Sequence, residues 1–489
     1  MKALTYYKFN VKLYLRLNVK LKEEDLMKKR KLFAALGTLL MVGTLAACGS
    51  SGGKQDDAKG TTDTKEDKQM EVLGDNVQFD PNKLVNDGKP IEMEYWTWNE
   101  GDPAITMAKE YEKIYPNVTI KVVNHPWEDY WTKLPLALKG KNGPAIFNVH
   151  NSQHDILIPY MAPYDIKTED LQADFTSVDA HISDGKVYYI DSLINTGNIY
   201  YNKAMWSEAG LTEADIPKTW DQFREVAKKL TKKDGDKLTQ AGFNWNAETY
   251  SAIYQGLNYQ KGELLFDDSG KVANYNNDVT KENLQFLINL YDKDGVGSKD
   301  FGAESSQSFG NGQAAMVYKW GWYQNELRTN YPDIDFGVFA TPTPTEDTPF
   351  AYDRYNGEST PGINKNQTKE EQALAQDFLK YCLANDEYSK TGALALASFP
   401  TKKSLAEDKD LLADPVLSAI APRVERLIWP GPFPATVETS ATQTMEDVLF
   451  NGMNIDQGLK EGQAKMEKDM KDTDFTSVES SYAFFDELK

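Results

Sequence analysis

The sequence predicts an α/β fold, because segments with the period of a strand alternate with segments with the period of a helix. Residues 91–96 alternate apolar and polar side chains as a strand does, and residues 104–115 have helical spacing that ends at Pro116. Next come a predicted strand over 118–123, a short helix over 130–138 and a strand over 145–149. This order of elements predicts a parallel sheet that is covered by helices.

A second set of elements is predicted farther along the chain. Strands are predicted over 198–202, 314–318 and 335–339, and helices over 220–231, 278–293, 369–385 and 440–471. In open α/β sheets, ligands bind beyond the carboxyl ends of the strands. The residues just past two such ends in the first set are 97–100 and the pair His150 and Asn151, which are mostly polar or aromatic.

Charge limits the classes of partner. The 489 residues include 54 Lys and Arg against 74 Asp and Glu, for a formal net charge of −20. From Cys48 onward there are 44 basic and 71 acidic residues, for a net charge of −27. A surface this acidic repels phosphate backbones, so we expect no nucleic acid partner.

The N-terminal region has the layout of a secretory signal. Four basic residues at 28–31 precede an apolar run over 32–47, which ends in Leu-Ala-Ala directly before Cys48. The run is shorter than the roughly 20 residues that a membrane-spanning helix needs. Its end resembles the lipobox of bacterial lipoproteins, in which the thiol is acylated and the chain is cut just before it. We therefore expect residues 27–47 to be a lipoprotein signal peptide and Cys48 to be lipidated.

Residues 1–26 do not fit a signal sequence, because Met27 stands immediately before the basic cluster that should begin one. We expect translation to start at Met27 and residues 1–26 to be a mis-assigned N-terminal extension. Residues 48–75 are predicted to hold the lipid anchor and a disordered linker, since their side chains are mostly too polar to bury a core. The protein is thus expected at the extracellular face of the bacterial cytoplasmic membrane.

Four segments of the remaining chain form a recognisable pattern. They are residues 200–223, with Tyr201-Asn202-Lys203, Ala209-Gly210-Leu211 and Pro217-Lys218-Thr219-Trp220; residues 309–316, which read F-x-x-G-x-A-A-M and precede Trp322; Asn356-Gly357-Glu358; and Ser398-Phe399-Pro400-Thr401. In this order, behind a lipobox, they resemble the family 1 extracellular solute-binding proteins of ABC importers, which include the maltose-binding type. The resemblance spans about residues 90–488. Two departures are Ala145, where the family commonly has Asp, and Trp320, where it usually has Gly.

The resemblance implies a two-lobed periplasmic-binding-protein-like α/β fold of the class II type, with a ligand cleft between the lobes. Residues 90–195 and about 342–396 would form the first lobe, and residues 196–341 and about 397–489 the second. It further implies a monomer without a cofactor that captures a carbohydrate by hinge closure and delivers it to a membrane permease.

Sugar binding requires aromatic rings for the flat C–H faces and polar groups for paired hydrogen bonds. The candidate ligand-binding residues lie in loops or beside predicted strand ends and glycine turns: Trp98, Asn99, Glu100, Asn151, Trp245, Trp320, Trp322, Tyr355, Glu358 and Trp429. Core packing or a solvated loop is the alternative for each of them. Trp206 and Trp220 belong to structural motifs of the family and are expected in the core. The many aromatic residues and the additional Trp320 favour an oligosaccharide over a monosaccharide.

A glycoside-acting enzyme and a metal-binding protein are the two alternative functions. A glycoside-acting enzyme needs two carboxyl groups at a fixed separation, but the family's motifs leave no part of the chain for a catalytic module. A metal-binding protein is suggested by His150 and His154, which would face one way on a helix. A strand and loop is predicted there instead, and Cys382 is expected to be a small buried side chain. We expect neither enzymatic activity nor a metal site.

Overall fold

The structure, a computed structural model, describes residues 70–98, 102–246, 250–471, 473 and 475–488. The predicted signal peptide, Cys48 and the linker as far as residue 69 lie outside the described residues, as do Asn99 and Glu100.

The described strands include every strand that the sequence predicts. They are β1 (Ile91–Thr97), β2 (Val118–Asn124), β3 (Ile146–Phe147), β4 (Met161–Ala162), β5 (Ile182–Ser183), β6 (Lys186–Val187), β7 (Asp191–Asn202), β8 (Lys232–Asp234), β9 (Lys237–Gln240), β10 (Met316–Trp320), β11 (Phe336–Ala340), β12 (Asp353–Ser359), β13 (Gly362–Asn364), β14 (Phe399–Pro400) and β15 (Leu427–Ile428).

The described helices likewise include those that the sequence predicts. They are α1 (Pro103–Ile114), α2 (Trp127–Lys139), α3 (His154–Leu157), α4 (Thr168–Asp174), α5 (Lys203–Glu208), α6 (Trp220–Leu230), α7 (Tyr250–Gln260), α8 (Asp278–Asp292), α9 (Ser305–Gly310), α10 (Tyr323–Asn330), α11 (Lys369–Ala384), α12 (Asp386–Leu396), α13 (Lys409–Leu412), α14 (Pro415–Ile420), α15 (Ala435–Leu449) and α16 (Ile455–Met470).

The first sheet has the strand order β2-β1-β3-β13-β4. Strands β2 and β3 lie parallel to β1, which confirms the parallel arrangement predicted for the first set of elements. The prediction is wrong for the rest of the sheet, because β13 pairs antiparallel with both β3 and β4. Strand β13 returns from more than 200 residues later in the chain, so the local pattern around β3 could not indicate its direction.

The second sheet is built around β7, which has twelve residues, all buried. Its main order is β10-β7-β12-β15, and β11 and β14 also pair with β7. Helix α6 illustrates how the surrounding helices are set. The Thr219 and Gln222 side chains form a capping box at its start, and Trp220 and Phe223 point into the core. Trp206 and Trp220 are 4% and 7% exposed, which confirms that both are core residues.

Two groups of buried apolar residues correspond to the two sheets. One group includes residues from Val77 to Ile190 and from Ile363 to Tyr388. The other contains residues from Leu193 to Tyr355 and from Ala393 onward. In the described part of the chain, the backbone therefore passes between the groups near residues 190–193, 355–363 and 388–393. The predicted lobe boundaries stay a prediction, although β12 pairs with β7 and β15 and so belongs to the second sheet.

Strands β7 and β12 run side by side where two of these crossings occur. Their register shifts between Glu358 and Ser359, just before the chain continues to β13 in the first sheet. Gly357 is required there, because a Cβ atom at this position would overlap the carboxylate of Asp191. The Asn356-Gly357-Glu358 segment thus places its polar side chains at a crossing between the two sheets.

Candidate ligand-binding site

The carboxyl ends of β1 and β3 meet at one edge of the first sheet. The two strands are parallel and in register, with Trp96 opposite Phe147. The chain leaves β1 at Trp98 and leaves β3 toward His150 and Asn151. The described residues that follow the two strands therefore lie at the same strand-end edge, where ligands bind in open α/β sheets.

An aromatic cluster occupies this edge, and we define it as Trp98, Trp127, Tyr130, Trp131 and His150. The ring centroid of Trp98 lies 5.3 Å from that of Trp127, 5.1 Å from that of Tyr130 and 5.2 Å from that of Trp131. Trp127 also lies 5.2 Å from His150 and is 42% exposed. The first turn of α2 thus contributes an open ring to a group of packed rings.

His150 lies in a mostly apolar environment at the end of β3. Burial lowers the pKa of His150, while the negative charges of Glu438 and Asp191 act in the opposite direction. The lowered pKa makes the ring neutral at pH 7.

Asn151 joins the edge of the first sheet to β12. Its amide nitrogen donates to Asn356 Oδ1 at 3.2 Å and to the Gly357 carbonyl at 3.1 Å. Its amide oxygen accepts from the Ser359 hydroxyl at 2.9 Å. The side chain is 4% exposed, so the structure gives it a bridging position between the two sheets.

The two faces of β12 differ in exposure and chemistry. Arg354, Asn356 and Glu358 alternate with buried residues and are each half-buried. Because Asn356 contacts Asn151 at the strand-end edge, we call this side the cleft face of β12. Tyr355 lies on the opposite face and is 8% exposed.

Glu358 has an unusual environment for a carboxyl group. Burial raises the pKa of Glu358 to about 7, and the negative charge of Asp191 adds to this effect. Asp191 itself is fully buried, with Oδ2 at 3.1 Å from His181 Nε2 and Oδ1 at 3.3 Å from the Ser359 hydroxyl. Glu358 can therefore act as a hydrogen-bond donor as well as an acceptor near neutral pH.

Tyr355 and Trp429 belong to a stacked column of rings on the opposite face of β12. The Trp429 ring stacks on His181 at 4.6 Å and lies nearly parallel to Tyr355 at 6.3 Å. Trp429 is 5% exposed and borders two pockets of about 260 and 340 Å³. His181 precedes β7 in the chain and Trp429 directly follows β15. The column therefore joins a segment before the crossing at β7 to a segment of the second sheet.

The remaining predicted aromatic residues have separate positions. Trp320 is 7% exposed and lies beneath the guanidinium of Arg354, whose central carbon is 5.0 Å from the ring centroid. Trp322 is 40% exposed at the start of α10. Trp245 is 2% exposed and stacks on Tyr291 at 4.5 Å, so the structure places it in the core.

Asn195 belongs with these residues, although the sequence analysis did not single it out. It lies opposite Asn356 in the β7–β12 register, and its Oδ1 accepts from the Gly321 amide at 2.8 Å. Its amide nitrogen is buried and has no hydrogen-bond partner among the described residues. The sequence carries no distinct signal for Asn195, because β7 also contains other polar residues and the predicted strand began only at residue 198.

The region around His150 and His154 is a 3-10 turn followed by α3, so the predicted strand and loop is wrong beyond residue 150. His154 Nδ1 lies 2.8 Å from the Tyr189 hydroxyl, and burial lowers the pKa of His154 to about 4. Within the described ranges, no group of three or more His, Cys, Asp or Glu side chains could hold a metal ion. In the same ranges, no helix has the length and apolar character to cross a membrane.

Two sheets joined by crossing strands, with Asn151 linking the aromatic edge of one sheet to the polar face of β12, are the features of a two-lobed binding protein. The model of the bacterial extracellular solute-binding proteins matches residues 95–388, which is more than half of the chain. The chain therefore belongs to the bacterial extracellular solute-binding proteins, and its fold is the two-lobed α/β fold of this class.

Individual proteins agree with this assignment. The chain is 26% identical over 343 residues to the arabinooligosaccharide-binding protein of Bacillus subtilis, covering 65% of this chain and 75% of that protein. It is 26% identical over 420 residues to the diacetylchitobiose-binding protein of Streptomyces coelicolor, covering 81% and 87%. The crystal structure of the cyclic alpha-maltosyl-1,6-maltose binding protein from Arthrobacter globiformis has a TM-score of 0.64 at 20% identity, covering 78% of this chain and all of that one.

Proposed function

We propose that this protein captures an oligosaccharide between its two lobes and delivers it to the permease of an ABC importer. The observation that carries the proposal is the aromatic cluster, with its half-exposed Trp127, at the strand-end edge that Asn151 joins to the cleft face of β12. The two relatives compared above are named for the oligosaccharides that they bind, which supports the same class of ligand here.

The chemistry of the two walls suits a neutral sugar chain. Open aromatic rings can cover the C–H face of a pyranose, and the rings of the cluster are held in place by one another. On the other wall, Asn195, Arg354 and Glu358 offer both donors and acceptors for ring hydroxyls. The number of aromatic rings in the cluster favours an oligosaccharide, because successive sugar units can stack on separate rings.

Ligand binding would be coupled to lobe closure. The crossings near residues 190–193 and 355–363 bring β7 and β12 side by side, and a bulge lies at one of them. A ligand that contacts both walls stabilises the closed state by its additional contacts there. The lobes predicted from the resemblance are residues 90–195 with about 342–396, and 196–341 with about 397–489, and the strand pairing of β12 favours moving residues 353–359 to the second lobe.

The proposal includes the cellular context predicted from the sequence. Acylation of Cys48 would hold a monomer at the extracellular face of the membrane, where the permease can receive the ligand. The proposed function is binding without catalysis. The negative charge of Asp191 acts on Glu358, but Asp191 is fully buried and lies against His181. A buried carboxylate of this kind is poorly placed to serve as the second carboxyl group of a glycoside hydrolase.

A thermal-shift screen of the full chain against mono- and oligosaccharides tests the ligand class. At 100 times its dissociation constant, a specific ligand stabilises the folded protein by about 2.7 kcal/mol and raises its melting temperature measurably. Small-angle scattering with the best ligand then tests closure, with a smaller radius of gyration expected. A screen in which no carbohydrate raises the melting temperature would contradict the proposal, and tight binding without compaction would contradict its closure step.

A further inference from the structure

Arg354 is a cation on the cleft face of β12 that the protein holds in place without neutralising it. Its guanidinium carbon lies 5.0 Å from the ring centroid of Trp320, within the range of a cation–π contact. Its Nη1 donates to Gln255 Oε1 at 2.8 Å. These two contacts fix the plane and one end of the guanidinium group.

Among the described residues, no acceptor contacts the other edge of the same guanidinium. Arg354 Nε is buried and lacks a hydrogen-bond partner in the described part of the chain, and Nη1 is the atom that Gln255 engages. The edge formed by Nε and Nη2 presents two parallel N–H donors, which match two neighbouring oxygen atoms. A buried donor without an acceptor costs free energy, and a ligand oxygen bound at this edge would recover it.

Another arginine of the chain shows what this edge binds when it is filled. Arg224 Nε and Nη2 donate to the two carboxylate oxygens of Asp294 at 2.7 and 2.9 Å. Arg423, which is 4% exposed, engages acceptors through Nη1 and Nη2, and its Nε also lacks a partner among the described residues. Arg354 differs in that neither its Nε nor its Nη2 has a hydrogen-bond partner in the described part of the chain.

A second unpartnered donor faces the same side. Asn195 Nδ2 is buried without an acceptor among the described residues, and Asn195 lies opposite Asn356, two residues from Arg354. Trp320, the ring beneath Arg354, pairs with Gly197 on β7, two residues from Asn195. Arg354 Nε and Asn195 Nδ2 are thus two donors on one face of the site that have no acceptor among the described residues.

We infer that Arg354 is a specificity-determining residue that binds a pair of adjacent ligand oxygens through its Nε and Nη2 edge. The inference rests on the proposed carbohydrate function and extends it. The paired oxygens could belong to a carboxylate of an acidic sugar or to neighbouring hydroxyls of a neutral one. A ligand unit without such a pair would leave both donors unsatisfied and would bind more weakly.

Calorimetric titration of the full chain tests this inference with acidic and neutral probes: trigalacturonate, maltotriose, mannotriose and diacetylchitobiose. Arg354→Met keeps an apolar side chain over Trp320 but removes the donors, and Arg354→Lys keeps the charge but loses the paired edge. We expect the affinity for the bound probe to fall about ten- to a hundredfold in Arg354→Met. Arg328→Met is the control, because Arg328 is 52% exposed on α10 and should bind like the wild type.

The two sources of paired oxygens give different results. A carboxylate predicts preference for trigalacturonate, affinity that falls with added salt, and partial recovery in Arg354→Lys. Neighbouring hydroxyls predict preference for a neutral probe, little effect of salt and no recovery in Arg354→Lys. Unchanged affinity in a folded Arg354→Met variant, judged by its melting temperature, overturns the inference alone. A wild-type chain that binds none of the probes overturns it together with the proposed function.

Discussion

On the cleft face of β12, Arg354, Asn356 and Glu358 are half-buried and polar, whereas Tyr355 on the opposite face packs against Trp429 in a column of buried rings. The two faces belong to one seven-residue strand and are equally close to the crossing between the sheets. One face keeps donors without acceptors, and the other is filled by ring contacts. The strand therefore separates groups that can meet a ligand from groups that stabilise the protein.

The same separation appears among the tryptophans. Trp98 and Trp127 pack in a cluster with an open side, while Trp245 and Trp429 are buried and are 2% and 5% exposed. An aromatic ring contributes to stability when it is enclosed and to recognition when one face stays open. Substitution of an enclosed ring should accordingly change the free energy of unfolding, and substitution of an open ring should change the affinity for ligand.

The largest effect on stability is expected from Trp429→Ala. The variant removes the central ring of the stacked column and leaves a cavity between His181 and Tyr355. The free energy of unfolding should fall by about 3–5 kcal/mol, measured by urea titration. Trp322→Ala is the matched control, because Trp322 is 40% exposed and its loss should cost about 1 kcal/mol or less. Equal losses in the two variants would remove the distinction between an enclosed and an open ring.

A smaller effect, dependent on pH, is expected from Glu358 on the cleft face. Its pKa in the folded protein is raised to about 7 by burial and by Asp191, above the ordinary value of 4.5. The fold therefore favours the protonated carboxyl, and this contribution to stability is fully present below about pH 4.5 and is lost as the pH rises through about 7. Because the group is half-buried, we expect a contribution of about 2 kcal/mol.

Glu358→Gln tests this pH dependence, since glutamine stays neutral throughout. The difference in unfolding free energy between variant and wild type should change between pH 4.5 and 7 and stay constant above pH 8, as measured by urea titration at each pH. Glu425→Gln, at an exposed position on the other side of the strand, provides the control. A difference that does not vary with pH would show that the environment of Glu358 does not favour its protonated form.

The contrast between faces also explains what the sequence could predict. Segments such as α1, β2 and α8 have several periods of apolar residues, so their type and position follow from the pattern alone. The strands β4, β14 and β15 have two residues each, and no period can be read from two residues. Their places depend on partners far away in the chain, as in the pairing of β12 with β15.

The site was predicted less completely for a related physical reason. Trp98 and Trp245 both occur near Asn residues in loops, so their local sequences look alike. Only the packing of Trp245 on Tyr291 and Phe450 distinguishes them, and both partners are at least 46 residues away. The sequence analysis did not single out Asn195, which lies inside the fully buried strand β7. In such a strand the neighbouring strands decide which polar side chains face the site, and the local sequence does not show this.

The smallest effect on stability and the clearest effect on binding are expected from Trp127→Ala. Trp127 is 42% exposed, so its loss should lower the unfolding free energy by about 1 kcal/mol or less. If a sugar stacks on its open face, the variant loses about 1 kcal/mol of aromatic contact with the ligand. The affinity for the ligand, measured by calorimetric titration, should then fall several-fold. Leu136→Ala on the same helix, where Leu136 is 67% exposed, should leave affinity unchanged. A variant of Trp127 that binds as tightly as that control would mean that the open side of the aromatic cluster does not face the ligand.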